Sequence, residues 1–131
     1  MFDEIKKQYT KLREEEQKKI IAYLEDNGYS ILNKGKGHGA ENYNAHRHLE
    51  VPYDLSNWKW IDIKKNNQKW LISLQAFDVD SNTKNHHVLM DRIGIYKYEE
   101  YNAEEAFNNM VVTEIDLPMD EEKMEQLLKM L

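Results

Sequence analysis

Apolar residues along this chain follow two different periods, and the switches between them mark out its elements. From 2 to 26, Phe2, Ile5, Tyr9, Leu12, Ile20 and Leu24 recur at helical spacing, with Glu16 interrupting the stripe. Asn27-Gly28 supplies the stop, because glycine tolerates the left-handed backbone that ends helices. A short strand is expected at 29–32. Lys34-Gly35-Lys36-Gly37-His38-Gly39 then reads as a connector. It has the composition of an anion-cradling loop, but neither the P-loop spacing nor a following helix.

Period-two alternation takes over at 45–77 and predicts a three-stranded antiparallel meander at 45–53, 58–65 and 69–77. Burial fixes its register. A two-residue turn at Asn66-Asn67 gathers Ile61, Ile63, Trp70, Ile72 and Leu74 on one face. A three-residue turn puts Asp62 and Lys64 among the apolar side chains of the third strand, which costs more. The same logic sets Leu49 and Val51 beside Ile61 and Ile63. His46, His48 and Glu50 then share the opposite face with Trp58, Trp60, Asp62 and Lys64. In that register His48 lies across from Asp62, and Glu50 across from Trp60.

The stretch 78–85 starts like a calcium loop but lacks its glycine and its closing glutamate, so a turn is expected. A strand at 87–98, a short helix at 103–109 and a strand at 111–117 follow. Pro118 and Asp120 open a last helix running to Leu131, with Leu127, Leu128 and Leu131 as its apolar contacts. The fold class is therefore α+β. One domain spans 1–131: an N-terminal amphipathic helix packed on an antiparallel sheet of about five to six strands, and a C-terminal helix.

Charge changes this picture. Residues 99–131 hold ten acidic and two basic side chains, a net of −8, so the preceding ninety-eight carry +2 within a total of −6. Such asymmetry acts on partners and association rates. It predicts docking on a basic protein and speaks against direct nucleic-acid binding. The arginines number three (Arg13, Arg47 and Arg92), which is few for phosphate recognition. Cysteine is absent, excluding disulfides, thiolate catalysis and Cys-based zinc sites. No signal-peptide core or eighteen-residue apolar run is present, so a cytoplasmic protein without a membrane span is expected. The abundance of Lys, Asn, Ile and Tyr fits an AT-rich bacterial or phage genome.

Three functional readings stay open. The first is a small acidic protein that neutralises a basic partner such as a nuclease, in the manner of immunity or phage anti-defence proteins. It needs no cofactor. Its carboxylates stand in for phosphates, with Glu99, Glu100, Glu104 and Glu105 as the charged contacts and Trp58 and Trp60 as apolar anchors. Cover of the tryptophans by the C-terminal helix or the 34–44 loop is the structural alternative. The second is a metal-dependent hydrolase. His46, His48 and Glu50 project from one strand face at steps of about 6.6–6.8 Å, and with Asp62 could hold zinc or manganese. Asp54 with Asp62-Ile63-Lys64 also has the residue types of the Asp…Asp-x-Lys nuclease core, though the expected turn directly after Lys64 differs from that pattern. The third is an oligomeric accessory protein, a homodimer joined through its tryptophan face.

Overall fold

The computed structural model describes residues 2–36, 58–78 and 89–131. Helix α1 (Phe2–Asp26) matches the helical stripe. Its end is a Schellman motif: Gly28 adopts φ 88°, its N–H donates to the Glu25 carbonyl, and the Tyr29 N–H donates to that of Leu24. The Tyr29 and Leu24 side chains then meet in the core.

Five strands follow among the described residues: β1 (Ser30–Lys36), β2 (Lys59–Lys65), β3 (Gln68–Asp78), β4 (Leu89–Tyr98) and β5 (Val111–Asp116). Helix α2 (Ala103–Asn109) lies between β4 and β5, and α3 (Glu121–Met130) follows β5. All neighbours are antiparallel, in the order β1-β2-β3-β4-β5. The fold is the expected α+β arrangement of an N-terminal helix on an antiparallel sheet with a C-terminal helix. No described helix is long and apolar enough to cross a membrane.

The two-residue turn at Asn66-Asn67 is present, and Asn66 takes the left-handed φ of 57° that asparagine tolerates. It sets Ile61 opposite Ile72 and Ile63 opposite Trp70. These residues, with Leu74, Ile93 and Ile95, form one buried face. Helix α1 covers it with Ile20 and Leu24, and α3 with Met124 and Leu127. Each fully buried Ile or Leu contributes about 1.5–3 kcal/mol relative to exposure.

Three expectations change. Strand β1 runs to Lys36, so Lys34-Gly35-Lys36 is ladder rather than connector. Both edges of β2 are occupied, by β1 and β3. Asn33 therefore stands opposite Asp62, and Gly35 opposite Trp60, where His48 and Glu50 were expected. Gly35 makes this pairing sterically possible: a Cβ there would sit 2.6 Å from Trp60 Cζ2, so a larger residue would push β1 off this tryptophan.

Glu16 does not merely interrupt the stripe of α1. It is buried, accepts the Met119 N–H at 2.9 Å and pairs with Lys19 at 2.8 Å. One turn earlier, fully buried Arg13 grips Asp91 of β4 through two nitrogens, at 3.0 and 2.8 Å. The middle of α1 thus faces the sheet through charge, in pairs that satisfy one another.

Candidate functional site

Strand alternation sends a second set of residues to the other face of the sheet. Its rows are Trp60–Ser73–Gly94, Asp62–Leu71–Tyr96 and Lys64–Lys69–Tyr98 across β2, β3 and β4. Leu71, Tyr96 and Ala106 of α2 form a small buried cluster, with Trp60, Tyr98 and Met110 half-buried against it. The short helix α2, rather than α3, serves this face. Of the covers expected for Trp60, the 34–44 segment contributes Gly35, and α3 belongs to the opposite side. Trp58, half-buried just ahead of β2, is not part of the cluster.

The aromatic rings are arranged in sequence. Tyr96 and Tyr98 stack with centroids 5.8 Å apart, and Tyr101 meets Tyr98 edge-on at 5.7 Å. Tyr101 is 53% exposed, although it belongs to this aromatic row. Each of the two stacked tyrosines donates its hydroxyl to a carboxylate: Tyr98 to Asp62 Oδ1 at 3.0 Å, and Tyr96 to Glu105 Oε2 at 3.2 Å. Among the described residues, that tyrosine hydrogen bond is the sole polar contact of the Asp62 carboxylate, and no cation pairs with it.

Electrostatics follow from this geometry. Burial pushes the Asp62 carboxyl above its usual range, and the hydrogen bond from Tyr98 pulls back against that. The Tyr98 phenol is pushed up to about 12, first by burial and then by its bond to Asp62 and the charge of Asp62. Tyr101 is raised by burial and then by Asp62, and Tyr96 by burial and then by Glu105.

An open depression beside the rings is lined by Tyr96, Lys97, Tyr98, Glu99, Glu100 and Glu105. It joins three of the acidic residues singled out in the sequence to the tyrosines. Glu99 and Glu100 are exposed at the end of β4, while Glu104 and Glu105 occupy the first turn of α2. The latter two also have a local role, since acidic side chains suit a helix start, where Asn102 already caps the Glu105 N–H. The face is not uniformly acidic, because Lys64 and Lys69 stand opposite one another at one end of it.

Of the four metal-ligand candidates, Asp62 is on this face, while His46, His48 and Glu50 lie outside the described residues, as does Asp54. The calcium-like stretch is outside them beyond Asp78. Among the described residues no three His, Asp or Glu side chains converge on a common point. Sequence reasoning missed the tyrosines. The signal was Tyr96-x-Tyr98, a spacing of two on a strand, which places both rings on the side away from Ile93 and Ile95. No protein-family model, curated protein or solved structure matches this chain.

Proposed function

We propose that this chain is a small acidic binding protein that docks on, and neutralises, a basic protein partner. A nuclease is the fitting kind of partner, because carboxylates can occupy the places its substrate's phosphates would take. That role would make it an immunity or anti-defence factor. The observation that carries the reading is the meeting of an aromatic row with an acidic rim: Tyr96, Tyr98 and Tyr101 beside Glu99, Glu100 and Glu105. Aromatics supply large contact area at low entropic cost, and the surrounding charge steers encounter. Trp60 is a half-buried member of the same cluster.

The test pairs the wild-type chain with a variant carrying E99K, E100K, E104K and E105K, both immobilised and exposed to the proteins of the native host. The expected result is a basic protein held by the wild type and released by the variant. Its association rate should fall steeply between low and physiological salt, as electrostatic steering requires. A partner whose association is indifferent to salt and to the four substitutions would overturn the reading.

A further inference from the structure

The proposed docking face carries a more specific feature than its overall charge. Asp62 is a half-buried carboxylate beside tyrosine rings, with one hydroxyl donor and no cation among the described residues. Elsewhere in the same sheet a buried carboxylate, Asp91, has its arginine. Glu105, exposed on α2, likewise accepts a tyrosine hydroxyl through one oxygen, from Tyr96, and its other oxygen has no donor among the described residues. Two carboxylates with spare acceptor capacity therefore flank stacked rings whose π-faces are negative. That combination favours a cation.

We infer that this face recognises an arginine side chain of the basic partner, whose guanidinium lies against the Tyr98–Tyr101 pair and bonds to the free oxygen of Asp62. The inference rests on the docking function proposed above. Arginine fits better than lysine for two reasons. A guanidinium is flat and weakly hydrated, so it stacks on a ring at small desolvation cost. It also presents several donors in a fixed plane, while ammonium is a point charge that Lys64 and Lys69 nearby would repel without compensation by stacking. The exposed ring of Tyr101 is the outer wall, and Tyr98 holds Asp62 in place through its hydroxyl.

The experiment titrates the full chain with hexa-arginine and with hexa-lysine peptides at fixed ionic strength, following tyrosine and tryptophan signals by NMR. The arginine peptide is expected to bind roughly twofold to fivefold tighter, the span that a cation–π contact of surface strength provides. Asp62→Asn, which is isosteric, and Tyr101→Ala, at an exposed position, should each bring the two peptides towards parity. Tyr101→Phe, which keeps the ring, should retain the preference. Equal affinity for both peptides in the wild-type chain would overturn the arginine site and leave acidic docking standing. A preference that survives both Asp62→Asn and Tyr101→Ala would also overturn it. Binding of neither peptide would remove the docking function together with the site.

Discussion

Asp91 and Asp62 are both strand aspartates of one sheet, one on each face, and they stand in opposite situations. Asp91 is buried under α1 and held by the two-pronged grip of Arg13. Asp62 is half-buried on the other face, with a tyrosine hydroxyl and no described cation. The first carboxylate is satisfied by the chain itself and serves to seat a helix. The second carries a charge that the described residues do not neutralise. A buried ion pair with its hydrogen bonds complete belongs to architecture, whereas a desolvated charge left single is where a ligand can gain.

Breaking the satisfied pair should have the largest effect. Arg13→Met leaves Asp91 buried without its cation and should cost about 3–5 kcal/mol in denaturant unfolding. Replacing both partners, as Arg13→Met with Asp91→Leu, should recover much of that loss, because two apolar residues do not need each other's charge. If the single variant were as stable as wild type, the contrast between the two aspartates would collapse.

Next in size is a steric test of the second face. Gly35→Ala puts a methyl group into the Trp60 indole and should cost about 1–3 kcal/mol, with a shift in tryptophan fluorescence as the ring moves. Arg13–Asp91 lies on the far side of the sheet and should be undisturbed.

Removing one hydroxyl comes third. Tyr98→Phe deprives Asp62 of its donor and should cost about 0.5–1.5 kcal/mol at neutral pH. The variant should also lose an alkaline transition. With its phenol raised from 10.0 to about 12, Tyr98 adds stability that is full below 10.0 and is lost as pH rises through about 12. Stability measured against pH in that window should therefore fall less steeply in Tyr98→Phe.

The smallest effect is expected from Asp62→Asn, within about 1 kcal/mol at neutral pH. Its mark is the pH dependence. The Asp62 carboxyl is raised from 3.8, so its contribution is fully present below 3.8 and lost as pH rises through the folded value. Asp62→Asn should remove that loss, and its advantage over wild type should shrink on acidification. An advantage that grew towards low pH would show the Asp62 carboxylate to be paired with a cation.

Most of the architecture could be read from periodicity. The helix at 2–26, the Asn66-Asn67 turn and the core face of Ile61, Ile63, Trp70, Ile72 and Leu74 follow from spacing and the cost of burying charge. Spacing failed where pairing is long-range. The partner of β2 at its free edge depends on whether Gly35 accommodates the Trp60 indole, a residue next to it in space but far along the chain, and alternation alone does not contain that. Glu16 looked like a break in an apolar stripe, and Arg13 was only one of three arginines, because their partners, Met119 and Asp91, are known only after folding. The acidic rim was legible as composition, since Glu99, Glu100 and Glu105 are plain in the sequence. The tyrosine row was legible as pattern but needed the fold to join it to Asp62.

The hold of α1 on Met119 bears on how the molecule is made. Glu16 takes the N–H of that residue and Lys19 its carbonyl, so one backbone unit is clasped on both sides from one helix turn. The two halves of the clasp are separated by 103 residues of chain. On the ribosome, α1 is made well before its clasp, which follows all five described strands. Until then Glu16 has no backbone amide to meet, and the core face lacks the cover of α3. Between the two events the nascent chain has an open flank, exposed to chaperones and to mispairing. Seating of α1 is a closing event that follows the strands, rather than a gradual accretion.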